Sequence, residues 1–156
     1  MKIEFLLVGK TTSKIFAEGM DDYVKRINHY LSFSCVVIPE LKNTKKLTEA
    51  QQKTAEGELI LKKIASDDYL VLLDEHGKEL RSIEFATWME KKQHNTRKLV
   101  FVVGGPYGFS DEVYQRCNEK ISLSKMTFSH QMIRLIFTEQ VYRACTIIKG
   151  EPYHHE

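Results

Sequence analysis

Short apolar runs alternate with amphipathic stretches along the whole chain, and no linker rich in Gly, Ser or Pro interrupts them. Runs such as 69–73 and 99–103 have the length and composition of buried strands. The stretches between them carry apolar residues at helical spacing. The alternation predicts an α/β fold, with a mainly parallel sheet flanked by helices. At 156 residues, the chain is expected to form one domain spanning 1–156.

Local signals place the individual elements. Ser13 is expected to cap a first helix that runs to about residue 31, and Ser82 is expected to cap a third. Thr48 and Gln51 form a capping-box pattern that opens the second helix. Two further helices are expected from residue 111 and over about 131–148. The predicted strands are 3–8, 33–38, 69–73, 99–103 and 121–123.

Composition and the N-terminal sequence exclude several classes of protein. With 42% hydrophobic and 28% charged residues, the chain is typical of a globular protein and unlike a disordered one. No apolar run approaches the roughly 20 residues that a membrane helix needs, so no membrane partner is expected. Glu4 and Lys10 interrupt the apolar N-terminus, which lacks a cleavage site and therefore predicts a strand, not a signal peptide. A cytoplasmic protein is expected.

Cysteines and histidines give little indication of a metal. The three cysteines, Cys35, Cys117 and Cys145, lie far apart without CxxC spacing, so we interpret them as buried thiols. His130 with the neighbouring pair His154 and His155 makes a poor zinc site, and no metal is expected. The formal charge of +2 is only mildly basic and leaves the partner undecided.

The final helix is apolar around more of its circumference than one core-facing stripe requires. We expect the apolar surface of this helix that does not face the core to form a subunit interface, and therefore a homodimer. Burial inside one chain is the alternative.

Three segments at predicted strand ends differ from ordinary loops: 73–78, 104–108 and 124–129. Ligands bind at the carboxyl ends of strands in open α/β sheets, so the three segments are expected to converge on one pocket. The glycines at 104–108 also fit a plain tight turn leading into a helix capped by Ser110. Both interpretations stay open at this point.

Polar residues interrupt the apolar final helix. His130 and Arg134, four residues apart, can face one cleft and hold an anionic or polar substrate. The alternative is an internal pair between Glu139 and Arg143, with a histidine that caps the helix. Beyond it lies the tail 150–156, for which disorder is the alternative to a functional role.

Several motifs together are more specific than any one of them: LLDEHGK, FVVGGPYGFS, ISLSKMTFSHQMIRLIFTEQVYRA and the ending PYHHE. With them, the whole chain resembles the ribosomal RNA large-subunit methyltransferase H family. The resemblance implies a SPOUT-class fold with a C-terminal trefoil knot, a homodimer and S-adenosyl-L-methionine as methyl donor. It further implies methylation of nitrogen-3 of a pseudouridine in 23S ribosomal RNA.

The resemblance also assigns residues. It implies cofactor contacts at the three strand-end segments, from Leu73, Gly104, Gly105, Leu123, Ser124, Lys125, Met126, Thr127, Phe128 and Ser129. It implies a substrate side at His130, Arg134, Tyr142, Arg143, Tyr153 and His154. Several relatives have a basic residue after the PYH, where this chain has His155, which is mostly neutral at pH 7.

These assignments predict roles in catalysis. His154 is the preferred proton acceptor or orienting group, Tyr153 is expected to stack on a base, and Arg134 or Arg143 to steady an imide anion or a phosphate. We expect the tail to matter for turnover and not for stability. The modest net charge suits recognition of an assembled ribosome. The alternatives are a related knotted methyltransferase acting on transfer RNA and a non-catalytic ribosome-associated binding module.

Overall fold

A computed structural model describes residues 1–155 of the chain. It contains five strands, five α-helices and one short 3-10 turn at Thr44–Lys46. The strands are β1 (Lys2–Val8), β2 (Ser32–Ile38), β3 (Tyr69–Glu79), β4 (Lys98–Val103) and β5 (Glu119–Ser122). The helices are α1 (Lys14–Ile27), α2 (Glu49–Lys62), α3 (Ser82–Asn95), α4 (Asp111–Arg116) and α5 (Met132–Ile148).

All five strands belong to one sheet in the order β2-β1-β4-β3-β5, and every neighbouring pair is parallel. Parallel neighbours need crossover connections, and helices supply them on both faces of the sheet. The predicted α/β fold with a parallel sheet is therefore confirmed. The trefoil knot stays a prediction.

Each face of the sheet has its own core. On one face, the Phe137 ring of α5 lies 4.6 Å from the Phe5 ring and 4.7 Å from the Phe101 ring, measured between centroids. On the other face, strand residues pack with Phe109 and with Val113 of α4. Each such side chain stabilises the fold by roughly 1.5–3 kcal/mol on full burial. This two-sided burial explains why β4 is apolar without alternation.

The predicted helix starts are largely confirmed. The Ser13 hydroxyl accepts from Phe16 N at 3.4 Å, and Thr48 and Gln51 form both bonds of the capping box. The expectation for Ser82 was wrong, because Glu84 caps the backbone N–H of Arg81 one residue earlier.

The end of α1 also differs from the prediction of a helix to about residue 31. The helix stops at Ile27, and the Asn28 amide nitrogen donates to the carbonyls of Val24 at 2.8 Å and Phe33 at 2.9 Å. Asn28 Oδ1 also accepts from Phe33 N at 3.1 Å. This side chain links the helix end to β2, which ends the helix one turn early.

Strand β3 continues six residues beyond the predicted end at residue 73. Both Leu73 and Lys78 are registered with Ile121 of β5, so the segment between them bulges out of the ladder. A Cβ on Gly77 would lie 2.7 Å from the Ile121 backbone, and only glycine fits this close approach. The segment 74–78, expected as a loop, is therefore part of a bulged strand.

Helix α5 lies between the sheet, α1 and α3, which bury much of its apolar circumference inside one chain. Phe137 and Val141 are fully buried, while Ile133 and Ile136 are half-buried. Burial within the chain thus covers much of the surface for which a partner subunit was favoured. Within residues 1–155, no helix combines the length and apolar character needed to cross a membrane.

Candidate active site

The three strand-end segments lie together at the carboxyl edge of the sheet, around a cavity of about 530 Å³. This volume is in the range of small-molecule sites. The wall is formed by residues 73–76 from β3, 103–109 after β4, and 122–124 with 126–128 after β5. Lys53 of α2, Tyr114 of α4, and His130 and Ile133 at the start of α5 complete it. This convergence of the segments on one pocket was predicted from the sequence.

Most of the predicted cofactor residues line this cavity: Leu73, Gly104, Gly105, Leu123, Ser124, Met126, Thr127 and Phe128. Lys125 and Ser129 belong to the same segment but do not line the cavity. The Ser129 hydroxyl instead accepts from Met132 N at 3.0 Å and caps the start of α5. Met126, by contrast, projects from the segment with 78% of its surface exposed.

The glycine segment combines a tight turn with a pocket wall. Gly108 N donates to Gly105 O at 3.1 Å, and Gly108 has a φ of +81°, which favours glycine. The turn leads into α4, where the Ser110 hydroxyl accepts from Val113 N at 3.3 Å. The two interpretations of these glycines are therefore both correct.

Gly105 lines the cavity on one side and packs against another part of the protein on the other. A Cβ at this position would lie 2.3 Å from the carboxylate of Glu56, a residue of α2 that is only 6% exposed. A Cβ on Gly108, in contrast, would meet nothing within 4 Å. The open space beside Gly108 allows a ligand to approach the backbone closely.

Charged groups lie at one part of the cavity wall. The Tyr114 hydroxyl donates to Asp74 Oδ2, and the backbone N–H of His76 donates to Oδ1 at 2.7 Å. Burial, with the Asp74 interaction, raises the pKa of Tyr114 well above its ordinary value, so the phenol stays a donor. Both donors are neutral, so they leave the negative charge of Asp74 uncompensated. Lys53 brings a positive charge to the same cavity.

Arg134 does not line the cavity and is only 3% exposed. Its guanidinium donates to the carbonyls of Val8 at 2.9 Å, Gly9 at 2.9 Å and His130 at 3.1 Å. It also donates to the Thr11 hydroxyl at 3.1 Å. Burial lowers the pKa of Arg134 from its usual value. The expected shared cleft of His130 and Arg134 is not formed, because this guanidinium fastens the end of β1 to α5.

The tail packs on the C-terminal half of α5. Tyr153 donates from its hydroxyl to Glu139 Oε1 at 3.0 Å, and its ring lies 4.8 Å from that of Tyr142. Arg143 Nη2 donates to the same Glu139 oxygen at 2.5 Å, so the internal Glu139–Arg143 pair is present. Burial, followed by interaction with Tyr23 and Glu139, raises the pKa of Tyr153. The expectation that the tail has few contacts to lose was therefore wrong for Tyr153.

His154 is held through Arg143, whose Nη1 lies 3.1 Å from His154 Nδ1. A guanidinium has only donors, so Nδ1 is the acceptor and a neutral ring carries its proton on Nε2. His155 is exposed, and Glu156 lies outside the described residues. The structure therefore gathers Tyr142, Arg143, Tyr153 and His154 in one cluster, separate from the cavity.

Helix α1 also contributes to this cluster, which was not predicted from the sequence. The rings of Tyr23 and Tyr30 lie 5.8 Å and 6.2 Å from that of Tyr142, and Arg26 lies over Tyr142 at 5.6 Å. Tyr23, Arg26 and Tyr30 are spaced three and four residues apart, which places them on one side of α1 and its C-terminal extension. This spacing could have predicted that the three side chains lie together. Among residues 1–155, no three His, Cys, Asp or Glu side chains are grouped to hold a metal ion.

Comparisons with known proteins identify the family of the chain. The model of a family described as "Predicted SPOUT methyltransferase" matches residues 1–154. The chain belongs to the SPOUT methyltransferase family. Within it, the ribosomal RNA large subunit methyltransferase H of Parabacteroides distasonis is 61% identical over 157 residues, covering 100% of each chain. That of Christiangramia forsetii is 53% identical, covering 99% of each chain.

These relatives confirm the family resemblance of the sequence motifs. A solved structure, the SpoU methyltransferase AviRb from Streptomyces viridochromogenes in complex with AdoMet, is similar with a TM-score of 0.47 and 13% identity. The similarity covers 96% of this chain and 61% of that one. As a SPOUT methyltransferase, the chain has methyl transfer as its reaction class.

Proposed function

We propose that this SPOUT methyltransferase transfers a methyl group from S-adenosyl-L-methionine to nitrogen-3 of a pseudouridine in 23S ribosomal RNA, on the assembled ribosome in the cytoplasm. The convergence of the three strand-end segments on one cavity carries the proposal. Relatives named ribosomal RNA large subunit methyltransferase H, 61% identical over the whole chain, support the ribosomal substrate.

The cavity fits the methyl donor. Its volume of about 530 Å³ and the open space beside Gly108 accommodate a ligand close to the backbone. Leu73 and Leu123 offer apolar contacts, and the segment 124–128 offers backbone groups for an adenosine. When bound, the donor supplies an electrophilic methyl on a sulfonium. Ser129 supports the end of this segment from outside the cavity by capping the start of α5.

The protein must position the nucleotide and accept its imide proton. His130 is an exposed imidazole on the cavity wall, and we assign proton acceptance to its ring. His154 carries its proton on Nε2 when Nδ1 accepts from Arg143, so we assign it an orienting role. Arg143 brings a permanent positive charge to the same cluster, suited to an imide anion or a phosphate. Positioning then supplies most of the catalysis.

The cavity and the tail cluster lie too far apart to act on one nucleotide within a single chain. Ile133 lines the cavity and Arg143 holds His154, and ten residues of helix span about 15 Å. We therefore propose a homodimer in which the tail of each copy, with Tyr153 and His154, completes the cavity of the other. Half-buried apolar residues of α5, Ile133 and Ile136, are candidates for its interface.

Activity assays with labelled methyl donor test the substrate. We expect methylation of whole ribosomes, and mass spectrometry should place the methyl on nitrogen-3 of a pseudouridine. Methylation of isolated transfer RNA instead would identify the related knotted enzyme. Cofactor binding without turnover on any RNA would identify the non-catalytic binding module.

Mixing two inactive variants tests the shared site. His154→Ala removes the tail imidazole, and Leu123→Trp fills the cavity. If each tail acts on the partner's cavity, random exchange of subunits makes half of the dimers mixed, and each mixed dimer has one intact site of two. The mixture should therefore regain about a quarter of wild-type activity. Native mass spectrometry checks that the mixture contains mixed dimers. If mixed dimers are present and activity does not recover, the tail does not act on the partner's cavity.

A further inference from the structure

Three charged side chains line the cavity with no assigned role in methyl transfer: Lys53, Asp74 and Glu75. Glu75 is exposed and lies 3.4 Å from His76 Nε2, which leaves Lys53 and Asp74, two side chains of opposite sign. Asp74 follows Leu73 directly in β3, and Lys53 lies in the second turn of α2. Within residues 1–155, neither side chain forms an ion pair with another residue. Their charges are therefore available to a ligand.

The position of Asp74 is fixed by its neighbours. The Tyr114 hydroxyl donates to Oδ2 and the backbone of His76 donates to Oδ1 at 2.7 Å. These neutral donors orient the carboxylate at the cavity wall without neutralising it. Such a site favours a cation that can also donate hydrogen bonds, such as an ammonium group.

Lys53 reaches the cavity from α2, and Asp74 accepts a hydrogen bond from Tyr114 of α4. Lys53 and Tyr114 come from α2 and α4, which cover one face of the sheet, whereas His130 and Ile133 belong to the α5 end on the other face. The cavity thus runs across the sheet edge from a charged end to an end lined by Phe128 and Ile133. A ligand with one zwitterionic end and one aromatic end matches this division.

We propose that Lys53 and Asp74 bind the amino-acid end of the methyl donor, with Lys53 pairing its carboxylate and Asp74 its ammonium. This assignment rests on the proposed methyl-donor site and fixes the direction of the donor within it. The adenosine then lies toward the segment 124–128, and the sulfonium between the two ends. Lys53 and Asp74 determine which adenosyl compounds bind, and neither takes part in the transfer itself.

Calorimetry with matched ligands tests each half of the pair. Lys53→Met should weaken S-adenosylmethionine about tenfold, the loss of one charge-assisted hydrogen bond. The same variant should bind decarboxylated S-adenosylmethionine as well as wild type does, because that compound has no carboxylate to lose. Lys62→Met, an exposed position on the same helix, is the control and should bind both ligands normally.

Asp74→Asn should weaken both of these ligands, which keep the ammonium, but not 5′-methylthioadenosine, which lacks the amino-acid end. Tyr114→Phe retains the carboxylate and removes only its orienting donor, so a loss smaller than that of Asp74→Asn is expected. Equal losses for the carboxylated and decarboxylated ligands in Lys53→Met, or no loss in either, would overturn the pairing.

Two outcomes separate this proposal from others. If wild type binds no S-adenosylmethionine, the methyl-donor site itself is wrong. If Lys53→Met keeps normal donor affinity but raises the KM for ribosomes, Lys53 binds an RNA phosphate and the proposal fails.

Discussion

Tyr153 and Arg143 share one oxygen: Glu139 Oε1 accepts from the Tyr153 hydroxyl at 3.0 Å and from Arg143 Nη2 at 2.5 Å. Arg143 in turn lies 3.1 Å from His154 Nδ1. One carboxylate therefore fixes both tail residues, Tyr153 directly and His154 through the guanidinium.

The tail should contribute to stability as well as to turnover. Tyr153→Phe removes the hydrogen bond to Glu139 and should lower the free energy of unfolding by about 1 kcal/mol. Tyr153→Ala also removes the contact with the Tyr142 ring and should cost about 1–2 kcal/mol. Urea denaturation followed by circular dichroism measures both. An unchanged midpoint in Tyr153→Ala would show that the tail does not pack on α5 in solution.

Arg134 should act on the fold and not on the methyl transfer. Arg134→Met leaves the buried carbonyls of Val8, Gly9 and His130 without their donor and should lower the free energy of unfolding by about 2–4 kcal/mol. Thermal unfolding measures the loss. A variant with wild-type stability and abolished turnover would return Arg134 to the catalytic role expected from the sequence.

The close contact between Gly105 and Glu56 should restrict which residues fit at position 105. Gly105→Ala places a Cβ against the Glu56 carboxylate and should destabilise the fold by about 1–3 kcal/mol. Adding Glu56→Ala removes the clash, so the double variant should regain part of that stability. The added Cβ points at Glu56 and leaves the Gly105 backbone unchanged, so calorimetry should show donor affinity recovering together with stability in the double variant. Donor binding that stays weak after stability has recovered would show that the Cβ also meets the donor.

Tyr30 should make stability sensitive to alkaline pH. Its hydroxyl donates to Glu151 Oε2 at 2.5 Å, and this hydrogen bond, with burial, raises the pKa of Tyr30 to about 12. Between about pH 10, the ordinary tyrosine value, and pH 12, the folded state binds more protons than the unfolded state, so stability falls as pH rises. Thermal unfolding from pH 9 to 12 should show a shallower decline in Tyr30→Phe. Identical slopes in both proteins would contradict the raised pKa.

Features determined by neighbours in sequence were predicted well. Ser13, Thr48 and Ser110 cap helices through residues three positions away, so their roles follow from local pattern. The meeting of the three strand-end segments also followed, because parallel strands end at a common edge.

Features determined across the fold were not predictable in the same way. The extension of β3 depends on pairing with Ile121, more than 40 residues later, and on the space that Gly77 leaves. The partners of Arg134 are carbonyls of Val8 and Gly9, which no spacing rule connects to α5. A polar residue in an apolar helix indicates a specific partner, but its position alone does not identify that partner.

The fastening of Val8 and Gly9 by Arg134 bears on how the protein is made. The donor and its acceptors are 125 and 126 residues apart, so the contact joins the end of β1 to α5 across most of the described fold. Contacts this distant in sequence form late, because the loop-closure entropy must be overcome first. A growing chain therefore cannot form this contact until α5 has emerged from the ribosome, and before that β1 has its pairing with β2 and β4 but no fastening at Val8 and Gly9. A nascent chain that lacks α5 should thus leave the backbone carbonyls at the end of β1 without their donor.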